Sequence, residues 1–133
     1  MNMEKQSILI VEDELITALD IQMRLNRHGY LSVHYVSTGE EAIQSVESGE
    51  VDLILMDVKL KGKMDGIHAT RHIVKKCSVP IIYITGNTDR HMSQRLKNLK
   101  PVGIIRKPIH DNILFKSVDH VLKDRNVGPL DGL

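Results

Sequence analysis

The chain has 133 residues, 41% hydrophobic and 26% charged, the make-up of one folded domain large enough to bury a core. Eighteen basic residues against seventeen acidic ones leave a charge of +1, and aromatics are only 3%. Those values exclude the basic footprint of a nucleic-acid or membrane-surface binder and the stacking platform of a single-strand binder.

The elements follow from the pattern of apolar residues. "SILIV" (Ser7 to Val11) is a β-branched run that stops at the acids Glu12 and Asp13, and reads as a buried strand. Leu15, Ile16, Leu19, Met23 and Leu25 then fall near helical spacing, with Gly29 as the stop. "LSVHYV" alternates as a strand does. Thr38 with Glu41 three residues later makes a capping box for a helix that carries Ala42, Ile43 and Val46 and ends at Gly49. "DLILMD" is the next strand, "GKMDG" a loop in which Asp65 and Gly66 supply cap and turn chemistry, and "IHATRHIVKKC" a helix. Pro80 introduces the strand "IIYIT". "TDRHMSQRLKNL" is a weaker helix and "VGIIR" a short strand. A last helix starts at His110 or Asp111, with Ile113, Leu114, Val118, Val121 and Leu122 on one side.

Strand and helix alternate five times, which predicts a parallel sheet covered by helices on both faces. Strands buried on both sides need no polar alternation, as these near-continuous apolar runs show. Residues 6–124 make the expected domain, and residues 125–133, with Gly and Pro, a flexible tail or linker stub. One cysteine, Cys77, permits no internal disulfide, and no apolar run reaches the ~18 residues of a membrane span. The first residues, "MNMEKQS", are too polar for a signal peptide, so the expected setting is reducing and cytoplasmic.

In an open parallel sheet, ligands bind outside the carboxyl ends of the strands. Standing there are Glu12 and Asp13, then Asp57, then Thr85 and Gly86, then Lys107 and Pro108. Three crowded carboxylates repel unless a cation arrives, and oxygen ligands of this kind suit Mg²⁺, with Mn²⁺ as a substitute. A carboxylate so placed is able to accept a phosphoryl group, with Lys107 as a point charge and Thr85 as a hydroxyl donor for its oxygens.

With these residues in order, the chain resembles a response-regulator receiver domain, the phosphorylated half of two-component signalling. The resemblance rests on "ILIVEDE", "LILMDVKLKGKMDG", "IIYITG" and "GIIRKP". It implies the flavodoxin-like doubly wound α/β fold, a five-stranded sheet in the order 2-1-3-4-5. It implies Asp57 as phosphoacceptor; Glu12, Asp13, Asp57 and the backbone carbonyl of Lys59 around Mg²⁺; and Thr85 and Lys107 on the phosphoryl group. It also implies a cis Lys107–Pro108 peptide. The partners implied are a histidine kinase or phosphotransfer protein, and a downstream effector or covalently linked domain. A phosphorylation-dependent homodimer is a further option. Chemistry would be confined to Asp57, with no turnover of an external substrate.

The sequence departs from the family pattern at Ile104, where an aromatic switch residue usually stands. Lys59 and Asn87 occupy positions that modulate phosphoryl lifetime in the family. Two other readings compete with this one. A Mg²⁺-dependent aspartyl-phosphate phosphohydrolase usually needs an acid two residues after the nucleophile, where Lys59 stands. An interaction module independent of phosphorylation has no need of the intact acids, Thr85 and Lys107. His68 and His72 are four apart on a helix but lack the Glu of a zinc-protease motif and a third ligand.

Overall fold

The computed structural model describes residues 3–86 and 90–127. After a 3-10 turn at Met3–Lys5 come β1 (Ser7–Val11), α1 (Leu15–His28), β2 (Ser32–Val36), α2 (Gly39–Ser48) and β3 (Leu53–Asp57). Then follow α3 (Gly66–Val74), β4 (Ile81–Thr85), α4 (Arg90–Lys97), β5 (Gly103–Arg106) and α5 (Asp111–Val127). The strands are all parallel in the order β2-β1-β3-β4-β5. This is the flavodoxin-like arrangement that the resemblance implies. Asn87 and residues 128–133 of the expected tail lie outside the described residues, while 125–127 belong to α5.

Alternate residues of each strand face opposite layers. Ile8, Ile10, Leu53, Leu55, Ile82 and Ile84 pack with Ala18, Ile21 and Leu25 of α1 and Leu114, Val118 and Leu122 of α5. Leu9, Val11, Ile54, Met56 and Tyr83 pack with Ala42 and Val46 of α2, Ile67, Ala69 and Ile73 of α3, and Leu96 of α4. Each such large side chain withdrawn from water contributes on the order of 2 kcal/mol.

The helix stops are local chemistry. Thr38 Oγ1 accepts from Glu41 N at 3.1 Å, and Glu41 Oε1 in return accepts from the Thr38 hydroxyl and from the amide of Ser37, each at 3.1 Å. Gly29 closes α1 with φ +120°, a conformation that favours glycine.

The expected face of α1 is corrected. Leu15, Ile16, Leu19 and Met23 are exposed, and Ala18, Ile21 and Leu25 are the residues that meet the sheet. The helix has apolar residues on two faces, and the small Ala18 lets it lie close. Ile113 is likewise half exposed, although Leu114, Val118, Val121 and Leu122 of α5 are buried.

The chain direction reverses its strand order between β1 and β3, and that opens a crevice at their carboxyl ends. Val11 is in register with Met56, which brings Glu12 level with Asp57. Thr85 ends β4 in register with Arg106, next to Lys107.

Candidate functional site

The crevice is a cleft of about 660 Å³ lined by Asp13, Glu14, Asp57, Lys59, Lys61, Asp65, Thr85, Gly86 and Lys107, among others. Asp57 of this lining is 4% exposed, and Glu12, which shares Lys107 with it, is 2% exposed. A carboxylate this far from water needs partners, because an isolated buried charge is strongly disfavoured. Asp57 arrives there because the apolar run Leu53–Met56 is packed on both faces and fixes the last residue of the strand.

Backbone amides aim the acids. Lys59 N donates to Asp57 Oδ1 at 3.0 Å, Glu14 N to Glu12 Oε2 at 3.1 Å, and Lys61 N to Asp13 Oδ2 at 2.8 Å. Lys107 Nζ bridges the other oxygens, 3.2 Å from Asp57 Oδ2 and 3.4 Å from Glu12 Oε1. The Lys107–Pro108 peptide is cis.

The charges do not balance. Burial pushes the Glu12 carboxyl up to about 7, Asp57 adds to this, and the Glu14 amide and Lys107 only partly oppose it. Burial also works against the Lys107 ammonium, but the carboxylates of Asp57 and Glu12 outweigh it and hold Lys107 above its ordinary value. One cation thus serves two buried acids, and the Glu12 carboxyl gives up its proton less readily than an ordinary glutamate. Glu12, Asp13 and Asp57 each offer an oxygen, all within 4.8 Å of one another. Among the described residues this is the one group of three suited to a metal. The donor set is all oxygen and short of positive charge, and a hard divalent cation fits it.

A close approach of backbone to backbone shapes the floor. Gly66 N donates to Val58 O at 3.0 Å, and a Cβ on Gly66 would overlap the Asp57 carbonyl oxygen. That is why "DG" follows the acid loop: Asp65 caps α3 by accepting from His68 N at 2.8 Å, and Gly66 lets α3 start against the strand.

The structure brings together Glu12, Asp13, Asp57, Thr85 and Lys107, with Lys59 on the cleft wall. Ile104 is half exposed on β5, in register with Tyr83, and does not line this cleft. Sequence reasoning passed over the amides of Glu14 and Lys61 as orienting groups, since a main-chain donor leaves no trace in residue type. It assigned Asp65 to capping alone; the same carboxylate also lines the cleft and meets Arg95 of α4 at 3.3 Å. His68 Nδ1 lies 3.2 Å from Asp65, and no metal-binding group among the described residues includes His68 or His72.

Comparison with known proteins agrees with this geometry. The family model of the response regulator receiver domain matches residues 8–132. The transcriptional regulatory protein PdtaR of Mycobacterium tuberculosis is 30% identical over 94% of this chain and 61% of its own length. The sensory transduction protein BceR of Halalkalibacterium halodurans is 32% identical over 87% of this chain and 49% of its own length. The chain therefore spans about half to three-fifths of these relatives. The receiver domain of a sensor histidine kinase from Pseudomonas aeruginosa, solved with a magnesium ion in its active-site cleft, superposes with a TM-score of 0.81. It is 30% identical, and the match covers 90% of this chain and 98% of that one.

Proposed function

The chain belongs to the response regulator receiver domain family of two-component systems, and from that premise we propose that it takes a phosphoryl group onto Asp57 in a Mg²⁺-dependent reaction. The observation that carries this is the cluster of three carboxylates within 4.8 Å with one ammonium shared between two of them. Such a cluster is short of positive charge until a cation enters, and Asp57 then has an oxygen free for phosphorus. The donor is a phosphohistidine on a histidine kinase or phosphotransfer protein in the cytoplasm.

In the transfer, an Asp57 carboxylate oxygen attacks phosphorus and the bond from phosphorus to the imidazole nitrogen breaks. The electron pair of that bond stays on nitrogen, and the product is an aspartyl phosphate. Lys107 moves from pairing two carboxylates to pairing a phosphoryl oxygen, and the Thr85 hydroxyl donates to another. Glu12, Asp13, Asp57 and the Lys59 carbonyl would hold Mg²⁺, which supplies neutralisation of the negative charge gathered there. Chemistry at Asp57 is limited to this transfer and slow hydrolysis. The output is a shifted equilibrium of a protein-contact surface, read by an effector, by a linked domain or by a second copy of the chain.

The test is incubation with acetyl phosphate and Mg²⁺ followed by intact-mass measurement. Wild type should gain about 80 Da, one phosphoryl unit, and Asp57→Asn should gain nothing. A folded wild type that stays at its starting mass with ample donor and magnesium overturns the reading. Lys59→Ala is expected to shorten the lifetime of the modified species, and an unchanged half-life removes Lys59 from the role of shield.

A further inference from the structure

Helix α4 is weakly seated. Two of its eight residues, Met92 and Leu96, are apolar, and of the side chains from Gln94 to Lys97 only Leu96 is buried. A helix whose described half places one apolar side chain against the sheet belongs to the low-stability end of a fold. The layer beneath it is imperfect too. Tyr83 is fully buried, and its hydroxyl has no hydrogen-bond partner among the described residues. The Thr70 hydroxyl, which acts on that phenol, is already donating to Gly66 O at 2.9 Å.

Against this background one contact stands out. Asp65 Oδ2 lies 3.3 Å from Arg95 Nη2 of α4, with both side chains about three-quarters buried. The other oxygen, Oδ1, caps α3 through His68 N. One carboxylate thus holds the first turn of α3 and the middle of α4, and the same residue lines the cleft that contains Asp57, Thr85 and Lys107. Ile104 has no ring with which to report on the cleft from β5, so this pair is a direct electrostatic link from cleft to α4.

Resting on the phosphoacceptor reading for its trigger, we propose that the Asp65–Arg95 ion pair is a latch that seats α4, and that phosphorylation of Asp57 opens it. A phosphoryl group brings up to two negative charges and three acceptor oxygens into the cleft that Asp65 lines. A guanidinium takes such oxygens in a bidentate fork, so the phosphoryl group competes with Asp65 for Arg95. Once Arg95 leaves Asp65 for the phosphoryl group, α4 loses its tie to α3 and, of the side chains from Gln94 to Lys97, keeps Leu96 as its apolar contact, so its equilibrium shifts away from the present seat.

The test is hydrogen–deuterium exchange of the full chain, with and without beryllium fluoride and Mg²⁺ as the phosphoryl mimic. Arg95→Gln breaks the pair from one side. Asp65→Asn breaks it from the other while leaving an oxygen to cap α3. Without the mimic, each variant should exchange residues 90–97 roughly fivefold faster than wild type, with α3 unchanged. The double variant should do no more than either single one. In wild type the mimic should produce the same rise, and in the variants no further rise. Unchanged exchange of residues 90–97 in Arg95→Gln overturns the latch. A mimic-induced rise as large in Arg95→Gln as in wild type overturns the coupling. If wild type gains no phosphoryl mass and ignores the mimic, the reading of Asp57 fails, and the variants alone still decide whether the pair seats α4.

Discussion

Two carboxylate clusters make opposite use of the same chemistry. At the carboxyl ends of the strands, Glu12 and Asp57 are buried with one ammonium between them, and Glu12 is pushed up to about 7. At the seam between α1 and α5, one carboxylate, Asp119, is surrounded by donors. Tyr30 donates its hydroxyl at 2.6 Å, His28 Nε2 lies at 2.9 Å, and Lys123 Nζ lies at 3.6 Å. The His28 ring also stacks on Phe115 with centroids 4.2 Å apart. Burial works against the Asp119 charge, but the bonds from Tyr30 and His28 win and hold it below its ordinary value. The first cluster has a surplus of acceptors and waits for a cation; the second has a surplus of donors and is already complete. A site for chemistry and a structural clasp are told apart here by that balance, not by residue type.

The largest expected effect is a pH dependence of opposite sign in the two clusters. Glu12 is raised from 4.5 to about 7, so its contribution is present below the unfolded value and is lost as pH rises through the folded one. Metal-free protein should therefore lose on the order of 3 kcal/mol of unfolding free energy from this group between pH 4.5 and 7. Asp119 is lowered from 3.8, so its contribution is present above that value and fades as pH falls below it. Urea unfolding in EDTA from about pH 2 to 7 checks the pair, with Glu12→Gln as the control that should abolish the loss at the pocket. Millimolar Mg²⁺ should flatten the curve, because the ion binds the ionised acids. A flat curve for wild type in EDTA breaks the contrast.

Next in size is removal of an acid from each cluster. Asp119→Ala leaves the buried Tyr30 hydroxyl without its acceptor and should cost about 2 kcal/mol at pH 7. Asp57→Asn has the other sign: it leaves Glu12 and Lys107 as a balanced pair and should stabilise metal-free protein by about 1 kcal/mol. Denaturation midpoints of the two variants beside wild type decide this. If both variants lose stability, the pocket is not strained by its charges.

The pocket was legible in the sequence and the seam was not, for a physical reason. Glu12, Asp13, Asp57, Thr85 and Lys107 each follow an apolar run, and the parallel order of those runs forces their ends together. Asp119, His28 and Tyr30 follow no such rule. They meet because α1 and α5 share one face of the sheet, and nothing in the spacing of residues 28, 30 and 119 encodes it. The apolar stripe on α1 misled for a related reason. Leu15, Ile16, Leu19 and Met23 form as good a helical stripe as Ala18, Ile21 and Leu25, and periodicity alone does not say which one faces the sheet. Arg95 was equally hidden, since an arginine in a polar helix has no sequence mark of the carboxylate it meets.

The smallest expected effect separates two lysines. Lys107 and Lys123 both sit beside a carboxylate, at 3.2 Å and 3.6 Å. Lys123 is half exposed and pairs with Asp119 one helical turn away, at the (i, i+4) spacing. Such a pair is screened by water and salt, and it must hold a long side chain in place to form at all. Asp119 moreover keeps Tyr30 and His28 when Lys123 is gone, so no buried acceptor is stranded. Lys123→Ala should therefore change unfolding free energy by less than about 0.5 kcal/mol. It should also leave the pH profile between 4.5 and 7 as it is in wild type. Lys107 is the one ammonium bonded to Glu12 and Asp57 among the described residues, so its removal should drive the Glu12 carboxyl further up. A Lys123→Ala loss well above that bound, seen in urea at moderate salt, would mean that the seam also runs short of positive charge, and the two clusters would then differ only in degree.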